Sequence, residues 1–139
     1  MANVTFRNVS AYVAGDASSR MGVIALAEWW GINRQFKALC DRFANEGFLV
    51  VCPDLYHGKG LRTFRIWQLL ILIFNVVAKD ASEANHLMEG LDFQAAVDEC
   101  DTWLDYLRTE KGITHVGVTG TCMGKFISFS FSLTYFVFI

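Results

Sequence analysis

The stretch VGVTGTCMGKFISF, residues 116–129, decides how the chain is read. Its first half is β-rich and runs into a tight turn, Gly120-Thr121-Cys122-Met123-Gly124, and its second half opens a phenylalanine-rich tail. A G-x-C-x-G turn between a strand and an expected helix is the cysteine form of a nucleophile elbow. Small residues are needed on both sides, because the nucleophile takes a strained backbone conformation and the flanking chains pass close to one another. Cys122 is therefore the candidate nucleophile, and a base and an acid should serve it from elsewhere in the chain.

Working back from that turn, THVGVTG reads as a strand entering it. Before it, LDFQAAVDECDTWLDYLRTEKG carries Ala96, Val97, Cys100, Trp103, Leu104 and Leu107 as one apolar stripe at helical spacing. Asp80 and Glu83 have the spacing of a capping box and should start a short helix. Further back, FLVVCPD (48–54) and GVIALAE (22–28) are short apolar runs of the kind buried parallel strands show. INRQFKALCDRFANEG between them places Ile32, Phe36, Leu39, Cys40 and Phe43 on one helical face, with Gly47 where a C-terminal cap belongs. The predicted order is β-α-β-α-α-β-turn, which right-handed crossovers convert to an α/β fold with a parallel central sheet.

With 139 residues the chain holds one domain at most. Net charge is −2, and the 12 Lys and Arg residues are scattered, so no basic stripe is present to track a nucleic acid. Four cysteines, Cys40, Cys52, Cys100 and Cys122, lie far apart without a C-x-x-C pair, and the N-terminus has no signal-peptide pattern. A reduced, cytoplasmic protein is expected. Cys40, Cys52 and Cys100 fall on core faces, His57 reads as a solvated loop histidine, and His86 and His115 read as structural.

Two blocks stand out, 60–76 (GLRTFRIWQLLILIFNV) and 125–139 (KFISFSFSLTYFVFI), which hold seven of the 12 phenylalanines and no acidic residue. Neither reaches the roughly 18 to 20 apolar residues that span a bilayer.

The segments EWWGINRQFKALCDRFANEGFLVVCPDLYHGK (28–59), VAKDASEANHLMEGLDFQAAVDECDTWL and VGVTGTCMG closely resemble the dienelactone hydrolase family of α/β-hydrolases. Three motifs in order carry the likeness: an E-x-x-G turn, a P-D-L-Y turn and G-x-C-x-G at the elbow. The resemblance implies hydrolysis of a small carboxylic ester or lactone, with Cys122 as nucleophile, Glu28 as the glutamate that contacts the resting thiol, and the amides of Trp29 and Met123 as the oxyanion hole. It implies no metal and no organic cofactor, and it leaves the oligomeric state open.

In that family the acid and the histidine of the triad follow the elbow, whereas the fifteen residues after Gly124 contain neither. The chain thus reads as the N-terminal half of the fold: residues 1–124 as a partial domain, 60–76 as an insertion within it and 125–139 as a non-family apolar tail. Read-through of unspliced introns would account for both blocks. An interfacial helix with Arg62 and Arg65, or an active-site lid, are the competing readings of 60–76. As written the chain is expected to fold poorly and to be inactive. A non-catalytic binding protein, or a membrane-associated fragment, is the reading of a different class.

Overall fold

The computed structural model describes residues 2–58 and 77–135. Among them five strands form one sheet: β1 (Ala2–Phe6), β2 (Val9–Ala14), β3 (Met21–Leu26), β4 (Phe48–Pro53) and β5 (His115–Gly120), in the order β1-β2-β4-β3-β5. β3 pairs in parallel with β4 on one side, Met21 opposite Phe48, and with β5 on the other, Met21 opposite His115. This is the parallel centre expected from the apolar runs. Two further strands, which the sequence reading did not include, lie beside it: β2 is antiparallel to β4 and β1 antiparallel to β2, which makes the sheet mixed. Arg7 and Asn8 join β1 to β2 with φ of 47° and 68°. Positive φ at both residues of a two-residue loop matches the twist of a hairpin, and asparagine tolerates that region better than most residues.

The helices start where the sequence supplies a cap. α1 (Arg34–Asn45) begins at Asn33, whose Oδ1 accepts from the Phe36 amide at 2.8 Å, and the chain reverses at Gly47 with φ 92°. α2 (Ala81–Glu89) begins at the expected capping box: the Glu83 amide donates to Asp80 Oδ1 at 2.9 Å, and Glu83 Oε2 accepts from the Lys79 amide at 2.8 Å. α3 (Phe93–Asp105) is capped by Asp92, whose Oδ1 takes the Gln94 and Ala95 amides at 3.0 Å each. α4 (Met123–Tyr135) follows the Cys122 turn directly.

Alternation along β3 and β4 distributes the core over both faces of the sheet. Ile24, Leu26, Leu49 and Val51 face α3 and α4, where Trp103 and Phe131 are fully buried. Val23, Ala25, Val50 and Cys52 face α1, against Phe36 and Cys40. Each fully buried side chain of this size contributes roughly 1.5–3 kcal/mol relative to exposure, so the sheet is held by helices on both sides, as parallel strands require. The apolar stripe expected on α3 is the one that packs.

Residues 125–135, read from sequence as the start of a non-family tail, continue α4 and sit on the sheet. Its inward positions include Met123, Ile127 and Phe131, while Phe126, Phe129 and Leu133 are 71%, 55% and 67% exposed. β5 lies at the sheet edge. No helix among the described residues is long and apolar enough to cross a membrane. The block 60–76 and residues 136–139 lie outside the described residues.

Candidate active site

The elbow forms because the sequence leaves no side chain where the strand and helix close on each other. A Cβ on Gly120 would stand 2.5 Å from the carbonyl carbon and oxygen of Gly124, and one on Gly124 would stand 2.4 Å from the carbonyl oxygen of Leu26 on β3. Both contacts are with backbone, which cannot rotate away. Between these glycines Cys122 takes φ 54°, a left-handed conformation that is costly for a residue with a side chain. The first turn of α4 closes behind it, with the Gly124 amide on the Thr121 carbonyl at 3.0 Å and the Lys125 amide on the Cys122 carbonyl at 3.1 Å.

Cys122 is the exposed cysteine of the four. Cys40, Cys52 and Cys100 are buried, as their core positions suggested. Burial and the neighbouring Glu99 push the Cys100 thiol up to about 12, and burial beside Cys40 raises Cys52, so neither forms a thiolate near neutral pH.

Glu28 reaches the elbow from the turn after β3, where the Gly31 amide donates to the Glu28 carbonyl at 2.9 Å. Its Oε1 accepts from the Thr121 hydroxyl at 2.9 Å. The carboxylate is therefore anchored on the residue preceding Cys122, and its bond goes to that hydroxyl and not to the thiol. Trp29 and Met123 are brought together from opposite sides. The Tyr56 hydroxyl donates to the Trp29 carbonyl at 2.7 Å and lies 3.4 Å from the Met123 sulfur.

No histidine among the described residues is hydrogen-bonded to the Cys122 thiol. His115 is at the entry of β5, the opposite end of the strand from the elbow, with its Nδ1 3.0 Å from the Thr114 hydroxyl. His57 differs from the solvated loop residue expected: its Nε2 pairs with Glu99 Oε1 on α3 at 2.8 Å. The Glu99 side chain is only 12% exposed, and burial raises its carboxyl while the His57 partner lowers it. Among the described residues no group of three or more His, Cys, Asp or Glu is placed to hold a metal ion.

The chain that carries this turn has relatives among known proteins. The dienelactone hydrolase family model matches residues 9–135. The chain belongs to that family. Protein usf of Aquifex pyrophilus is 32% identical over 133 residues, covering 89% of this chain and 50% of that protein. A candidate carboxymethylenebutenolidase of Aquifex aeolicus is 27% identical over 134 residues, again 89% of this chain and 50% of the relative. The crystal structure of a candidate dienelactone hydrolase from Klebsiella pneumoniae superposes with a TM-score of 0.69 at 22% identity, over 91% of this chain and 49% of that one, and so shares the fold. The chain spans about half the length of the curated relatives it matches.

Tyr56 is the residue of this candidate site that sequence reasoning missed. It is 4% exposed, and its hydroxyl ties the turn after β4 to the turn after β3 and to the elbow, residues 27 and 67 positions away in sequence. Burial and the neighbouring Cys122 push its phenol up to about 12, which keeps it a donor at neutral pH. Tyr56→Phe keeps the ring and strands the Trp29 carbonyl. It is expected to cost about 1–2 kcal/mol in a urea titration; an unshifted midpoint would show that the carbonyl finds another donor.

Proposed function

We propose that the domain hydrolyses a small carboxylic ester or lactone by nucleophilic catalysis at Cys122. The observation that carries this reading is the exposed Cys122 at φ 54° between Gly120 and Gly124, at the N-terminus of α4. The Cys122 thiolate attacks the carbonyl carbon, forming the S–C bond as the carbonyl electron pair moves onto oxygen. The Trp29 and Met123 amides are the donors for that oxygen. Collapse breaks the carbon–oxygen bond of the ester or lactone and leaves a thioester, and the departing alkoxide takes up the proton that left the thiol, becoming the alcohol. Water then attacks the thioester carbon, the C–S bond breaks, and the carboxylic acid leaves while the second proton of the water returns to Cys122 as its thiol. In this reading Glu28, held by the Thr121 hydroxyl, takes the thiol proton once substrate displaces that partner.

The reading that this half of the fold has no triad histidine is supported by the bonding of the described histidines. General acid and base help of the order of 10²- to 10⁴-fold is then missing. Deacylation, which must activate water, suffers most, whereas an aryl ester brings a leaving group that needs little protonation. A burst is the expected result: p-nitrophenyl acetate releases about one equivalent of nitrophenol per chain, followed by slow turnover, and Cys122→Ala abolishes both phases. A burst that survives Cys122→Ala would overturn the mechanism. The absence of any burst would leave the family scaffold acting as a binding protein, the reading favoured by the lack, among the described residues, of a histidine bonded to Cys122. A cytoplasmic, reducing location belongs to the cysteine mechanism, since an exposed thiol survives there.

A further inference from the structure

The Thr121–Glu28 hydrogen bond joins two turns that lie 93 positions apart in sequence, the elbow and the turn after β3. Thr121 Oγ1 donates and Glu28 Oε1 accepts, at 2.9 Å. Thr121 is exposed and Glu28 half-buried, so the bond adds little to stability and its main consequence is where it puts the carboxylate. Threonine suits that task. Two heavy atoms branch from its Cβ and restrict χ1, whereas an untethered glutamate side chain has many rotamers to occupy. The bond therefore ties a flexible carboxylate to a stiff post directly before Cys122.

The titratable groups around Cys122 come from three elements: Glu28 from the turn after β3, Tyr56 from the turn after β4, and Lys125 from the first turn of α4. Tyr56 stays a neutral donor, with its hydroxyl on the Trp29 carbonyl. Lys125 is exposed and carries no basic lone pair at neutral pH. That leaves Glu28 to receive a proton. A carboxylate beside a thiol acts in two ways: its charge discourages a standing thiolate, and its oxygen accepts the proton when the sulfur attacks. Both effects fade with distance.

We propose that Thr121 is a positioning residue for Cys122: its hydroxyl parks the Glu28 carboxylate at the elbow, and through Glu28 it governs how the thiol loses its proton. The proposal rests on the Cys122 reading above and extends it to the residue between Gly120 and the nucleophile. The required property is the hydroxyl, not the bulk. Serine can supply it, whereas valine has the same shape and no donor.

Cys122 is the exposed cysteine of the four, so its alkylation by iodoacetamide reads the thiol without any ester turnover. The rate is followed against pH in the full chain. Thr121→Val and Glu28→Gln should each lower the midpoint of that profile by roughly half a pH unit, the size of a like-charge interaction across several ångströms of water. The double variant should shift no further than Glu28→Gln alone, because both changes remove one interaction. Thr121→Ser should keep the parent profile. In the nitrophenol burst, Thr121→Val should slow acylation about tenfold, part of the roughly 10²- to 10⁴-fold that a positioned base supplies. A parent-like profile in Thr121→Val, additive shifts in the double variant, or a serine variant that behaves like the valine one would overturn the proposal. So would a loss of melting temperature with the midpoint unmoved, which marks a merely structural threonine. Coupled alkylation shifts in a chain that gives no burst uphold the Thr121 role while the hydrolase reading alone fails; a burst with uncoupled shifts does the reverse.

Discussion

Gly124→Ala is expected to lower the melting temperature by on the order of 10 °C and to do so without touching any core side chain. The added Cβ would lie 2.4 Å from the Leu26 carbonyl oxygen, 2.9 Å from its carbon and 3.0 Å from the Ala27 oxygen. All three are backbone atoms of the β3 end, so the only relief is to lift α4 off the sheet. Overpacking of this kind costs about 3 kcal/mol, the top of its usual range, because no flexible side chain can yield. Lifting α4 also moves the Met123 amide away from Trp29, so the nitrophenol burst should fall together with the stability. Thermal unfolding followed by circular dichroism checks the first outcome. A variant that melts with the parent would show that the helix does not approach β3 this closely, and the elbow geometry would fail with it.

Phe131→Ala is the second large effect, about 3–5 kcal/mol in denaturant unfolding, against a total of roughly 5–15 kcal/mol for an ordinary domain. Phe131 is fully buried in the cluster that holds Trp103, Leu104 and Ile127. Its neighbour Phe129, on the same helix, is 55% exposed, and Phe129→Ala should change stability by no more than about 0.5 kcal/mol. The contrast between the two phenylalanines tests whether the residues after Gly124 are part of the folded core. Equal and small effects would mean that α4 is not seated on β3 and β5.

Where elements carry their own period, the sequence was a sufficient guide. β3 and β4 are short apolar runs whose alternate residues serve two faces, α3 has its stripe at helical spacing, and Asp80 with Glu83 marks the start of α2. The elbow was legible for the same local reason: two glycines around a cysteine say that something passes close by, and Gly124 against Leu26 is what passes. The β1–β2 hairpin was not read, because Arg7-Asn8 is not a strong turn signal and β1 is largely exposed, with little apolar contrast. The packing of α4 was not legible for a different cause. Phe126 and Phe129 face out while Ile127 and Phe131 face in, so both faces are apolar and no amphipathic pattern separates them.

The site divides along the same line. Cys122, Glu28, Trp29 and Met123 were picked out by motif resemblance, and the fold draws them to one place through Thr121 and Tyr56. The links themselves left no mark in the sequence. A tyrosine in a P-D-L-Y turn and a histidine one residue later look alike as loop residues, yet one ties the elbow together and the other pairs with Glu99 on a helix 42 positions along. The sequence by itself determined the helices with caps and stripes, the buried strands and the strained turn, because these depend on neighbours within a few residues. Tertiary structure alone decided the mixed strand order, the buried side of α4, the Tyr56 clamp and the hold of Thr121 on Glu28, because each arises from chain segments that meet only after the sheet has assembled.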